Sequence, residues 1–312
     1  MRTALVLGAT GGIGGAMRQR LLAGGWRVKV LSRRPSPLLE GCIQVLGDAL
    51  DREAVLAAAQ GAEVIVHAVN PPGYRNWAGL VLPMIDNTIR AAEAVGARIL
   101  LPGTVYNYGP DAFPAIEEDA PQHPETRKGA LRVVLEDRLR AAAERGTAKV
   151  LIVRAGDYFG PGAANNWFGQ AMVTAGARPR VIRTPGKRGV GHQWAYLPDV
   201  AETMARLLDA THLSAFARFH MDGQWDADGR QMAEAIARAL GDPAVAIRPL
   251  PWWQLRLAAL AMTTPRELME MRYLWRQPIR LINTRLVQTL GAEPHTPLAQ
   301  AVTATLTGLG CR

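Results

Sequence analysis

Cysteine is almost absent from this chain: Cys42 and Cys311 are the only two in 312 residues. They form no CxxC and lie too far apart in sequence for a disulfide framework, so a reducing compartment with one buried and one tail thiol is the expectation. Long apolar runs are also lacking. No stretch reaches ~18 uninterrupted apolar residues, which argues against a membrane span. The opening MRTALVLGATGGIGG has only a short apolar run broken by glycines, without the hydrophobic region and cleavage site of a secretory signal. The expected location is the cytoplasm. No polybasic tract and no aromatic ribonucleoprotein motif occur, although Lys and Arg outnumber Asp and Glu by 36 to 27. The arginines are scattered, as in LSRRP, RPRVIRTPGKR and MRYLWRQPIR. That pattern points to solvation plus an anionic ligand rather than to nucleic acid. No His, Cys, Asp or Glu spacing suggests a metal site.

What is present is an alternation of strand and helix. ALVLGA, RVKVLSR, CIQVLGD, VIVHAV, RILLPG and KVLIVRAG are short runs rich in Val, Ile and Leu. Helical stretches separate most of them, including one over about 127–145 with Leu131, Leu135 and Leu139 as its apolar stripe. Such spacing predicts right-handed βαβ crossovers, hence an α/β fold with a Rossmann-type doubly wound parallel sheet. Beyond about residue 160 the pattern breaks up and Pro, Gly and Arg become frequent. The expected division is a dinucleotide domain over 1–162 plus about 191–222. A smaller C-terminal substrate lobe takes about 163–190 and 223–312. WWQLRLAALAM (252–262) reads as an amphipathic helix packed in that lobe, with a membrane surface or a second copy in a homodimer as alternatives.

GATGGIG carries glycines at 8, 11 and 14, directly after the first strand and before a helix. A tight turn needs φ freedom, and a missing Cβ lets backbone N–H groups approach a pyrophosphate. The helix N-terminus adds donors and partial positive charge. At the end of the second strand stand Ser32, Arg33 and Arg34, with no carboxylate to accept from ribose hydroxyls. A hydroxyl and guanidinium groups suit a 2′-phosphate, so NADP is favoured over NAD. Asp48, after the third strand, can meet an adenine edge or cap a helix.

These segments resemble the extended, or atypical, short-chain dehydrogenase/reductases of the epimerase/dehydratase type. The resemblance rests on LGATGGIG, HAVNP, GTVYNYG, RAGDYFGPG (154–162), WAYLPDVA (194–201) and the C-terminal TRLVQTLGAEPHTPLAQAVTATL. It implies an NAD(P)-binding oxidoreductase or epimerase-like enzyme. The implied coenzyme residues begin with Gly8, Thr10, Gly11, Gly12, Ile13 and Gly14. Ser32, Arg33, Arg34 and Asp48 follow, then His67, Ala68, Val69 and Asn87, and finally Arg132, Gly156 and Tyr158. His67 has a structural role as its alternative.

The departure from the family lies in EEDAPQHPETRKGALRVVLE. The family places a tyrosine and, four residues on, a lysine on one helix face, followed by a glutamate. Anchored on Glu136, these positions are Lys128 and Arg132. The i, i+4 geometry persists while the chemistry changes. Arg132 can hold the nicotinamide ribose but cannot shuttle protons. Lys128 can replace the tyrosine only with its pKa depressed by roughly three units; its alternatives are a fixed cation for an anionic substrate or a solvated lysine. Thr104 falls on the catalytic serine position, and Tyr106, Tyr108 and Tyr158 are further acid/base candidates or packing aromatics. Substrate contacts are expected from Tyr74, Arg75, Asn166, Trp167, Lys187, Arg188 and His192, for a small anionic or nucleotide-sugar-like molecule. Loss of both family residues leaves a second reading open, a non-catalytic NADP-binding sensor or regulatory protein.

Overall fold

The computed structural model describes residues 1–71, 76–242 and 244–312. Runs of Val, Ile and Leu become strands covered on both faces. β1 (Thr3–Leu7) and β4 (Val64–His67) are buried at every position, whereas β2 (Arg27–Ser32) and β3 (Ile43–Leu46) are progressively more open. Each buried Val or Leu contributes roughly 1.5–3 kcal/mol. With β5 (Arg98–Gly103) they form five of the seven strands of the main sheet; a two-residue β6 (Ala115–Ile116) stands apart. β7 (Lys149–Arg154) follows β5 in the sheet, β8 (Asp157–Phe159) leaves it, and β9 (Val181–Thr184) and β10 (His192–Tyr196) belong to the lobe side. β11 (Phe216–His220) returns to the main sheet as its far edge.

The seven-stranded order is β3-β2-β1-β4-β5-β7-β11, with every pair parallel. The winding reverses between β1 and β4, so a crevice opens beyond the carboxyl ends of those strands, where such sheets bind ligands.

Helices α1 (Gly12–Ala23), α2 (Arg52–Ala59), α3 (Trp77–Val95), α4 (Arg127–Glu144) and α5 (Leu197–Asp209) cover the sheet. Met17 and Leu21 of α1 pack with Val200 and Met204 of α5 on one face. Val55, Ile85, Leu135 and Leu139 of α2, α3 and α4 fill the other.

A third core belongs to the lobe. It draws on Phe168 and Met172, on Met232 and Ile236 of α6 (Gln231–Ala239), on Leu274 and Trp275, and on Val302 and Leu306 near the C-terminus. β12 (Gln224–Asp226) pairs with β10, β13 (Ala246–Pro249) with β9, and β14 (Arg280–Leu281) with β6. Tyr108, Ile116, Phe159 and Trp194 also point into this core although they stand in spans read as dinucleotide domain. The C-terminal segment divides after α7 (Trp252–Ala258) and α8 (Thr263–Glu270). α9 (Thr284–Leu290) sends Leu286 into the sheet's core, while α10 (Leu298–Gly308) packs in the lobe.

The expected amphipathic helix at 252–262 ends at Ala258 and buries none of its residues. Trp252 is packed against the lobe core, but Trp253, Leu257, Leu260 and Met262 face outward. Among the described residues no helix is long and apolar enough to cross a membrane.

Candidate coenzyme and active site

The turn between β1 and α1 is shaped by missing side chains. Gly8 has φ +85°, and a Cβ there would lie 2.5 Å from the Ala68 carbonyl oxygen. A Cβ on Gly14 would lie 2.2 Å from the Gly8 oxygen. Both contacts are far inside van der Waals distance, so the helix can approach β1 this closely only with glycine at these positions. Gly11 caps α1, no side chain occupies its first N–H groups, and no acidic residue stands in its first turn. The cradle therefore fits a pyrophosphate through backbone donors and the helix dipole. Thr10 is exposed at its mouth, Gly12 is half-buried, and Ile13 packs on the core below. Ala68 and Val69 lie alongside, with the Ala68 N–H donating to the Leu7 oxygen at 3.0 Å.

Ser32 ends β2 with its hydroxyl buried and without a partner among the described residues, beside exposed Arg33 and Arg34. Asp48 accepts from the Leu50 N–H at 3.0 Å. The helix-capping alternative for Asp48 does not hold: α2 is capped by Asp51, whose carboxylate accepts from Glu53 and Ala54. Asn87 of α3 donates to the Ala49 oxygen at 3.0 Å and so pins the turn that carries Asp48.

At the carboxyl end of β4, His67 is buried and its Nδ1 lies 2.8 Å from the Thr88 hydroxyl. Burial, then the charge of Arg132, lowers its pKa to about 3, so the ring is neutral. Arg132 reaches this point from the second turn of α4. Its guanidinium sits 5.0 Å from the centre of the Trp77 ring. Its charge also acts on Tyr158 of β8, whose phenol is raised by burial against the opposing pull of Arg132 and Arg154. The Tyr158 hydroxyl is buried and has no partner among the described residues. Gly156, just before it, lets the chain pass Gln193, whose oxygen would be 2.3 Å from a Cβ. Arg132, His67 and Tyr158 thus converge at the crevice.

Lys128 does not. It is buried at 2% exposure, and its ammonium is clasped by two carboxylates of α8, Glu267 and Glu270, the latter at 2.6 Å. Glu270 also accepts from the Lys128 backbone N–H at 3.3 Å, and Arg127 flanks the pair. The expectation of a solvated lysine is overturned. The other two expected roles, proton carrier and anchor for a substrate anion, meet acids of the chain itself at that ammonium.

Of the two readings of Tyr108, acid/base candidate or packing aromatic, its surroundings fit the second. It is fully buried, its hydroxyl 3.0 Å from His220 Nε2 and its ring 5.0 Å from the Arg154 guanidinium. Burial raises its pKa, and it packs in the lobe's core. The same buried group ties down Glu136, which receives two hydrogen bonds from Arg154 at 2.8 and 2.9 Å. Thr104, half-buried, directs its hydroxyl to Asn107 Oδ1 at 3.2 Å, while Arg154 donates to its backbone oxygen.

The expected substrate residues scatter. Tyr74 and Arg75 lie outside the described residues. Asn166 closes its own turn, donating to the Ala163 oxygen and accepting from Gly169 N–H. Trp167 is a lobe-core residue 5.3 Å from the Trp275 ring. His192 bonds Asp157 at 2.8 Å through Nε2 and stacks on Trp275 at 3.6 Å between ring centres. Lys187 and Arg188 border an open cavity in the lobe. Sequence reasoning missed Glu267, Glu270, Asp157 and Trp275; nothing in PRELMEMRY signals that its carboxylates return to a lysine 139 and 142 residues earlier.

A parallel sheet of this order with a glycine cradle at its switch point is the arrangement of a dinucleotide-binding protein of the Rossmann class. The chain belongs to the NAD dependent epimerase/dehydratase family, which it matches over residues 4–215. It is 30% identical over 275 residues to a 3-diazoavenalumate denitrifying reductase from a Streptomyces species, covering 80% of this chain and 87% of that protein. Solved structures of the same fold include MoeE5 in complex with UDP-glucose and NAD, at TM-score 0.77 and 16% identity over 99% of this chain and 98% of that one. The UDP-glucose 4-epimerase of Thermus thermophilus in complex with NAD follows at TM-score 0.72 and 20% identity, over 99% of each chain.

Proposed function

We propose that this chain is a reductase that uses NADPH in preference to NADH and acts on an electrophile needing no acid at the moment of hydride transfer. The observation that carries this reading is the fate of position 128. A family tyrosine there would donate or accept a proton; Lys128 is instead neutralised by Glu267 and Glu270. When bound, the reduced nicotinamide supplies a hydride.

The chain's own residues supply position and charge. Arg132 presents a permanent cation, since guanidinium does not deprotonate in proteins. His67 stays neutral at physiological pH, and the raised phenol of Tyr158 stays protonated. Ser32, Arg33 and Arg34 favour the 2′-phosphate.

A ketone that accepts hydride becomes an alkoxide and needs a proton. A diazonium carbon does not: hydride arrives, the C–N bond breaks, and N2 leaves with the bonding electron pair. Charge and atoms balance without an acid. The Streptomyces relative is, by name, a denitrifying reductase of a diazo compound, and we carry that reaction class to this chain. An epimerase acting on nucleotide sugars would need the proton relay that position 128 lacks.

The test uses coenzyme deuterated at its transferable position, ordinary water and a carboxylated arenediazonium. One deuterium should appear at the carbon that bore nitrogen, with N2 released in step with coenzyme oxidation, above the uncatalysed rate. NADPH should bind roughly tenfold or more tightly than NADH, as expected for charge-assisted hydrogen bonds to one phosphate. Coenzyme binding without oxidation, across diazonium and carbonyl panels alike, would instead support the sensor reading, which the sequestration of Lys128 also favours.

A further inference from the structure

We infer that the lobe cavity bordered by Lys187, Arg272, Arg276, Trp252 and Trp275 is the anchor for a planar, carboxylate-bearing ring. The inference rests on the reductase reading and names its substrate class. The cavity measures about 420 Å³, and its lining holds five cations and no carboxylate. Arg230 has a carboxylate neighbour, Glu234 at 3.6 Å. Lys187, Arg188, Arg272 and Arg276 form no ion pair among the described residues. A concentration of cations around a concave surface attracts an anion.

The walls add a second, independent observation. Trp252 and Trp275 both border the cavity. The Trp252 indole N–H is used, donating to the Pro185 oxygen at 2.9 Å. The Trp275 indole N–H is not: the residue is 4% exposed and its Nε1 has no partner among the described residues. An adjoining smaller void, which Trp275 shares, is bordered by Trp194, whose buried indole N–H is equally without a partner. A buried donor left unmade costs about 1–3 kcal/mol. Asp226, which also borders the smaller void, is committed to the backbone N–H groups at the start of α6. A water or an acceptor group of a ligand would satisfy these donors.

A chain of packed side chains runs from the wall of the anchor to β8. Trp275 stacks on His192, His192 bonds Asp157, and Asp157 adjoins Tyr158 in β8. The wall of the anchor is thereby packed against the strand that carries Tyr158. Arginines then take the carboxylate, and the indoles that border the cavity pack against the ring.

Titration calorimetry of the full chain with cinnamate, cinnamamide and UDP tests this without coenzyme or turnover. Cinnamate should bind at least tenfold more tightly than cinnamamide at low salt. Arg272→Gln and Arg276→Gln should each erase most of that preference, and Trp275→Phe, which keeps a ring and removes the N–H, should weaken cinnamate several-fold. Equal affinity for acid and amide, or UDP displacing cinnamate as the tighter ligand, would overturn the anchor while leaving the reductase reading intact. Cinnamate binding as expected, together with no coenzyme oxidation on any diazonium, would sustain the anchor and sink the reductase reading alone.

Discussion

His67 shows how one buried side chain reports on the whole crevice. Its neutral form is imposed first by burial and then by Arg132. The unfolded imidazole titrates near 6.5 and the folded one at about 3. Between those values the unfolded chain binds the additional proton. The contribution to stability is therefore complete above pH 6.5 and falls as acid is added, by about 1.4 kcal/mol per pH unit, until the folded ring protonates. His220, buried against Arg154 and also lowered, acts in the same direction. The denaturant midpoint should drop between pH 7 and pH 5, and His67→Gln should make that drop shallower. A slope unchanged by His67→Gln would assign the acid sensitivity elsewhere. At this scale the sequence was informative about residue type and poor about ionic partners. The resemblance sets Lys128 at the position where the family keeps a tyrosine, but its pairing depends on Glu267 and Glu270, whose approach no local pattern encodes.

Among elements, α1 makes the most direct claim on coenzyme binding, and neighbouring glycines separate its causes. A Cβ at Gly14 meets the Gly8 oxygen at 2.2 Å, whereas a Cβ at Gly15 meets nothing closer than the Ala9 oxygen at 3.5 Å. Gly14→Ala must push α1 off β1, costing roughly 1–3 kcal/mol as overpacking does, and should abolish NADPH binding in calorimetry. Gly15→Ala should leave binding in place and stabilise the helix by roughly 0.5–1 kcal/mol, since Ala is the better helix former. Equal loss in both variants would mean that the cradle's shape is not what holds the coenzyme. The strands of this region were legible because parallel strands buried on both faces read as continuous Val, Ile and Leu runs. α7 was not: its spacing of apolar residues is that of a packed helix, yet Trp253 and Leu257 stand 65% and 60% exposed. Periodicity shows that a helix has an apolar face; it does not say what covers it.

At the scale of the whole molecule, the clasp at Lys128 joins bodies with separate cores. α4 packs on the sheet through Leu135 and Leu139, while Met271 and Leu274, just after α8, sit in the lobe's core. The Lys128 side chain is 3% exposed and those of Glu267 and Glu270 are each 15% exposed, so salt screens them weakly. Lys128→Met leaves two acids crowded together with little water and should destabilise the protein by about 3–5 kcal/mol, the usual cost of breaking a buried pair from one side. Glu267→Gln with Glu270→Gln strands the ammonium in the same way. The triple variant removes the charge from both partners and should regain much of the loss. Denaturant midpoints for the four proteins measure this coupling, and additive losses, with no recovery in the triple variant, would show that the lobe is held by packing alone. Recovery would mean that Lys128 serves to seat the lobe on the sheet, which fits the proposed reductase that takes no proton from position 128.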